Sequence, residues 1–475
     1  MIQPIIQQPQ LCAERTTMTK RIGILTVGGD TPALNATIYG AVERANALGM
    51  HVLGLLRGYA GLLDERVAHV HLNPLFSSIP ELDPCCGGTL LGSSRTYIAP
   101  ESDEMNIVRR NIQRLELDGL ICIGGDGTIS GMQSLTDYIP CVLAPKTIDN
   151  DLGLNYLDEP NGWIRKEADN EDGFVKVHQQ SRTHMDLEDM INYATPGYAT
   201  AVFVVAQCVQ RVRSTAESHR RIGVVEVMGR DSGYIGLGAA YGQPDLILIP
   251  EVAIDLNELA QRVRQIYELQ HHAVIVVGEG CRTADGTELG ASSPSYDPAG
   301  NIRYSGAAQA LREMLAERIE PEFFEKIRPY EPGVSAFFTR KVGHTQRGGR
   351  PIQFDRFYAS QLGGKAMELV HARETNSVAT LQYCPRSGFE VDSIAATKLS
   401  DQWGEIHHRA VHATMYDAHR MQPSEFGEAY LQSIFTNAIG ADDMEFIRAE
   451  LFSPGNLATR YQSVNSDIRK RVRFV

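Results

Sequence analysis

Two stretches of this chain, one beginning at Arg21 and the other at Arg221, are written in the same grammar: RIGILTVGGDTPALNATIYGAVERANALG and RIGVVEVMGRDSGYIGLGAAYG. Each runs from RIG through an apolar segment to a glycine turn and then a helix. In the first, residues 22–27 read as a buried strand, and Gly28, Gly29 and Asp30 as a tight turn. Pro32 suits a first helical turn, after which Ile38, Val42 and Ala45 recur at helical spacing. Strands alternating with helices in this way predict a parallel sheet covered by helices on both faces.

Further units follow the same order. HVLGLLRGYAG, DGLICIGGDGT and CVLAPKT read as strands ending in polar loops in the first half, and DLILIP and HAVIVVGEG as strands of the second. The expected fold is α/β: two doubly wound Rossmann-like halves with parallel sheets, functional at the carboxyl ends of their strands, plus a mostly helical C-terminal extension. The expected boundaries are an arm over 1–18, a first half over 19–154, an insertion over 155–189, and a second half over 190–344. A return segment and the extension then occupy 345–475. The insertion has poor periodicity; it holds Trp163 and many charges, Glu167, Asp169, Glu171 and Asp172 among them. Together with the stretch after residue 370, in which no chemistry is legible, it invites an intersubunit or regulatory role.

Charge narrows the function. With 45 Lys and Arg against 58 Asp and Glu, the net charge is −13. An acidic surface disfavours nucleic acid and anionic membranes, so a phosphate site must be built locally from arginines, lysines and backbone N–H groups. The eight cysteines are scattered without a CxxC pair, which fits reduced thiols in a cytosolic protein. The first 18 residues do not read as a signal peptide, and no apolar run reaches the roughly 18 residues of a membrane span.

Three glycine-rich loops follow predicted strands: GGD at 28–30, GGTLLGSSRT at 87–96 and GGDGT at 124–128. Glycines let backbone N–H groups approach phosphate oxygens closely. In GGDGT a lone carboxylate, Asp126, would repel phosphates unless Mg²⁺ lay between them. A fourth loop, PKTIDND at 145–151, ends an apolar run with a lysine, a threonine and two aspartates. Phosphoryl transfer needs a positioned acceptor, a base and cationic clamps. Asp149 or Asp151 is the candidate base, with Thr147 holding a sugar.

In order along residues 20 to about 365, the motifs GGDTPALNA, GGTLLGSSR, GGDGT, PKTIDND, RRIGVVEVMGR, GEG and GHTQRGGRPIQFDR resemble the 6-phosphofructokinases. The resemblance implies transfer from Mg-ATP to the 1-hydroxyl of fructose 6-phosphate. Asp149 would be the base, Thr147, Ile148 and Asp151 its sugar-positioning neighbours, and Asp126 the magnesium-associated aspartate. Gly29, Tyr59, Arg95, Thr96, Gly125, Gly127 and Thr128 would line the donor site. Arg230 would face sugar and reacting centre, accompanied by Met228 and Gly229, with Glu279 on a sugar hydroxyl and His344 and Arg347 on the 6-phosphate. Arg221 resembles an arginine that reaches a neighbouring subunit's substrate, which implies a homodimer or homotetramer. The family also implies allosteric control and a cytoplasmic location.

The chain departs from the common pattern at four places. Ala33 replaces a glycine, and Ala199 an aspartate, so a supporting hydrogen bond is expected to be absent. Phe338 stands where bacterial relatives place an intersubunit arginine, with Arg340 the nearest substitute on the same strand face. Lys146 resembles pyrophosphate-using relatives, whereas Gly127 keeps open the room that a nucleotide α-phosphate needs. That mixture, seen in long ATP-dependent relatives, favours ATP, with pyrophosphate as the alternative donor. NAD and lipid kinases share a GGDGT-like loop but lack PKTIDND and GHTQRGG, and sedoheptulose 7-phosphate stays open as an acceptor.

Overall fold

The computed structural model describes residues 20–96, 98–99, 102–167, 174–179, 182–291, 295–296, 302–319, 321–330, 335–446, 449, 452–453, 457 and 463–475. The arm over 1–18 and, in the insertion, residues 168–173, with Asp169, Glu171 and Asp172, lie outside the described residues.

The strands are, in chain order, β1 (Arg21–Thr26), β2 (His51–Leu55), β3 (His69–His71), β4 (Gly119–Gly124), β5 (Cys141–Pro145), β6 (Trp163–Glu167), β7 (Phe174–His178), β8 (Ile222–Val227), β9 (Leu246–Leu248), β10 (Ala273–Gly278), β11 (Ser295–Tyr296), β12 (Ile302–Arg303), β13 (Phe337–Lys341), β14 (Ser377–Cys384) and β15 (Gly388–Ala395), with two short ones beyond. Seven form the first sheet, in the order β15-β14-β5-β4-β1-β2-β3. Its interior pairs are parallel; only the edge strands β3 and β15 run antiparallel. The second sheet, β13-β8-β10-β9, is parallel throughout.

Local sequence explains the layering. Along β1, Ile22 and Ile24 enter one apolar cluster and Leu25 the opposite one, so both faces are buried and the strand reads as a continuous apolar run. The chain leaves β1 for β2 on one side of the sheet and later adds β4 on the other. The strand order therefore reverses beside β1, and the loops after β1 and β4 flank a crevice there.

The helix Gln353–His371 returns to the first half and packs on the helix Leu34–Leu48. The two backbones approach closely because both carry glycine at the crossing. A Cβ on Gly40 would lie 1.9 Å from the Ser360 carbonyl oxygen, and one on Gly363 would lie 2.0 Å from that of Thr37.

Beyond residue 371 helices do occur, at Glu425–Phe435, Ala441–Phe446 and Val464–Ile468, but a β-hairpin precedes them. Its strand β14 joins β5 in parallel, so the extension completes the first sheet. The insertion also holds a hairpin, β6 with β7, standing as its own two-stranded ribbon. The amino end of the helix Tyr198–Ser218, where Ala199 predicted a lost hydrogen bond, is held by Asp355. Its Oδ2 accepts from Thr200 N at 2.7 Å and Thr200 Oγ1 at 2.6 Å. Among the described residues no helix is long and apolar enough to cross a membrane.

Candidate active site

The crevice beside β1 opens into a cleft of about 360 Å³. Gly29, Tyr59, Arg95, Thr96, Gly125, Asp126, Gly127 and Thr128 line it together with Lys146, Thr147, Asp149, Asp151, Arg230 and Arg347. The glycine turns after β1 and β4 and the PKTIDND turn after β5 thus face one space. Gly28, read from sequence as part of the GGD turn, lines it too, as do Val27, Ser130 and Gly131, which were not singled out. The last two sit one helical turn after Asp126 and Gly127, a spacing that could have found them.

Each turn is built for close approach. Gly28 adopts φ +84°, and a Cβ there would lie 3.3 Å from Lys146 Nζ. A Cβ on Gly29 would lie 2.8 Å from Arg347 Nη1. The Lys146 ammonium donates to the Gly29 carbonyl. After β4, Gly125 leads into the helix Asp126–Gln133, and a Cβ on Gly124 would meet the Thr128 hydroxyl at 2.0 Å. A Cβ on Gly127 would meet nothing within 4 Å.

The PKTIDND turn is held from several sides. Thr147 Oγ1 accepts from Asp149 N at 3.1 Å. Asn150, at φ 57°, donates to the Tyr430 hydroxyl at 2.7 Å and accepts from Thr195 N at 2.8 Å. Arg230 also sits at positive φ, 52°. Left-handed non-glycine residues of this kind persist where the surroundings over-determine them.

The two aspartates of the turn are pushed apart. Burial raises Asp149 above the usual carboxylate range, assisted by the charge of Asp151 and opposed by Arg347, whose Nη2 lies 3.9 Å away. Burial also acts against Asp151 ionising, but the hydrogen bond and charge of His408 prevail and hold it at about 2. Asp151 therefore stays ionised while Asp149 is the readier proton acceptor, a division of labour that environment alone sets. Among the described residues Asp149 Oδ1 is buried with no hydrogen-bond partner. Lys146 falls to about 7, through burial first and Arg347 second. Burial, then Asp149, pushes Glu279 up to about 7; its Oε1 accepts from Arg230 N at 3.4 Å.

His408 was missed. Its Nδ1 lies 3.0 Å from Asp151 Oδ2 and 3.4 Å from Asp126 Oδ2, bridging the two turns. Burial alone would keep the ring neutral; the hydrogen bond to Asp151 and the charges of Asp126 and Asp151 raise it to about 10. The stretch after residue 370 thus brings a side chain against the carboxylates of the cleft, which the sequence reading did not single out. Nothing in HHRAVHAT signals it, since the segment lacks strand or helix periodicity.

Other predicted residues stand apart from this cleft. Ile148 is fully buried in the core, Gly229 is buried, and Met228 is half-buried against the same core. Arg221 precedes β8, whereas Met228 and Arg230 follow it, roughly 20 Å further along at ~3.3 Å per residue. Arg340 on β13 and His344 just beyond it are both exposed.

The phosphofructokinase family model matches residues 21–156 and 188–370. A pyrophosphate–fructose 6-phosphate 1-phosphotransferase of Dictyoglomus thermophilum is 35% identical over 74% of this chain and 86% of its own length. An ATP-dependent 6-phosphofructokinase of Streptomyces coelicolor is 33% identical over 76% of this chain and 91% of its own. The solved structure of a pyrophosphate-dependent phosphofructokinase from Nitrosospira multiformis superposes with a TM-score of 0.67 at 16% identity, over 89% of this chain and 92% of that one, which speaks for the fold. Parallel α/β halves with glycine turns converging on a cleft of carboxylates and arginines define a phosphotransferase. The chain belongs to the phosphofructokinase family.

Proposed function

We propose that this chain transfers the terminal phosphoryl group of Mg-ATP to the 1-hydroxyl of fructose 6-phosphate. The single observation carrying the reading is Asp149: buried, raised toward the proton-accepting range, with an unpartnered Oδ1, on a cleft shared with the donor turn. In the step, the 1-hydroxyl oxygen forms a bond to the γ-phosphorus as the bond to the bridging oxygen of ADP breaks. The hydroxyl proton passes to Asp149.

Thr147 and ionised Asp151 orient the sugar, Glu279 contacts a hydroxyl, and Arg347, with Arg230, supplies cationic clamps. The 6-phosphate lies on the side of Arg347. Glycine N–H groups after β1 and β4 receive the donor phosphates. Asp126, the carboxylate on the glycine turn after β4, suits Mg²⁺, which binds one or two carboxylates plus phosphate oxygens and would neutralise charge on the transferred group.

Arg221 and Arg340, outside their own chain's cleft, are assigned to a neighbouring copy's sugar phosphate in a homodimer or homotetramer, and His344, in the short helix leading to Arg347, joins that arginine on the 6-phosphate. ATP is favoured as donor by the open space at Gly127. Lys146 and the pyrophosphate-named relatives favour the second reading, transfer from pyrophosphate. Steady-state assays with each donor decide between them: bisphosphate formation with Mg-ATP is expected, and turnover with pyrophosphate alone would overturn the donor assignment.

A further inference from the structure

We propose that the segment 401–412, acting through His408, is a positioning element of the phosphoryl-transfer site, fixing the gap between the Asp126 turn and the Asp151 turn. The inference rests on the functional reading above. Transfer requires reacting atoms about 3–3.5 Å apart, and a misplacement of ~1 Å costs on the order of 100-fold. Both turns follow parallel strands, and strand pairing fixes the backbone of those strands but not the side chains of the loops beyond them. His408 contacts one carboxylate from each turn, at 3.4 Å and 3.0 Å. Its Nδ1 hydrogen-bonds Asp151 and forms an ion pair with Asp126, so one ring atom touches both turns.

A strut works only if its own base is rigid, and both flanks of His408 are tied down. On one side, Arg409 N donates to the Asp151 carbonyl at 2.7 Å. The buried Arg409 guanidinium donates to the carbonyls of Asn150 at 2.7 Å and Asn192 at 2.8 Å. On the other side, His407 stacks on Trp163 of the insertion hairpin with centroids 3.6 Å apart and bonds Asp401 at 2.9 Å. Lys176, from the second strand of that hairpin, reaches Asp401 at 3.0 Å. The hairpin therefore buttresses the segment from outside, while His408 turns its ring to Asp126 and Asp151, which line the cleft. Neither the strut nor its buttress falls within the segments that the family model matches, 21–156 and 188–370.

Side-chain geometry gives a discriminating test. Asparagine places its amide nitrogen near the imidazole Nδ1 position, and glutamine places it near Nε2. His408→Asn is expected to keep kcat within ~5-fold of the parent. His408→Gln and His408→Ala are expected to lose ~10–100-fold in kcat, with KM for both substrates within ~3-fold. Amide hydrogen exchange over residues 147–151 should quicken in the Gln and Ala variants and stay near the parent rate in Asn. A merely space-filling ring would show no such ordering. If the Ala variant fails to fold, the Asn and Gln pair carries the decision. Equal kcat and exchange in Asn and Gln, or parental behaviour in Ala, would overturn the proposal. A parent protein that makes no bisphosphate would sink the functional reading instead, leaving the exchange comparison to judge the strut.

Discussion

The cleft is held by two regions that work in different ways. The glycine turns after β1 and β4 act through backbone: positive φ at Gly28, and the absence of a Cβ at Gly29 and Gly124, where one would strike Arg347 and Thr128. The segment 401–412 acts through side chains, His408 and Arg409, delivered by irregular chain. The first region dictates residue identity over several consecutive positions, so it writes a motif. The second needs only one or two correct residues at the end of a well-anchored loop, so it writes none. A site can thus be half visible in sequence for physical reasons, because backbone constraints are contiguous and side-chain constraints are not.

The largest expected effect lies in the motif region. Asp149→Asn removes the proton acceptor while keeping its shape, and kcat should fall ~10²–10⁴-fold with KM for fructose 6-phosphate changed far less. An unchanged kcat would remove Asp149 from its role and shift weight to the other region. The His408 series comes next in size and breaks the comparison from the other side: if no variant there matters, the non-motif region is scaffold alone.

A smaller effect concerns how that region is fastened to the second half. Glu251 Oε1 accepts from Gly233 N at 2.8 Å and Val411 N at 2.7 Å, joining the second half to the segment after His408. Burial pushes Glu251 up to about 7, from 4.5 for the free side chain, despite those hydrogen bonds. The folded state then holds the proton more tightly than the unfolded chain. Stability should be complete below about pH 4.5 and decline as pH rises through about 7. Glu251→Gln should therefore stabilise the protein at pH 8 by on the order of 2–3 kcal/mol and do little at pH 5. Chemical denaturation at the two pH values measures this; an equal effect at both would show that the carboxyl is not held protonated.

Legibility followed the same division. The apolar runs of β1, β4 and β5 and their glycine exits were readable, and parallel pairing brings those exits to one edge. The order of strands in the sheet was not, because β14 enters from residue 377 to sit beside β5, a pairing that leaves no local trace. Its own alternation, SVATLQYC before a turn ending in Gly388, carried a strand signal within a stretch otherwise patterned as helix. The insertion read as a charged excursion; what gives it purpose is Trp163 stacking on His407, a contact between residues too far apart for any periodicity to connect. Asp126 and Asp149, which line one cleft, stood out in the sequence, whereas His408, which touches both turns, did not.

The central claim is spatial: one cleft brings the donor's terminal phosphoryl group to a sugar hydroxyl beside Asp149. The most direct measurement is a structure of the Asp149→Asn protein with fructose 6-phosphate, Mg²⁺ and a non-hydrolysable ATP analogue bound together. The account predicts the terminal phosphorus roughly 3–4 Å from the 1-hydroxyl oxygen, with that oxygen in hydrogen-bond reach of residue 149 and the metal beside Asp126. A sugar phosphate or nucleotide seated away from these turns would contradict it.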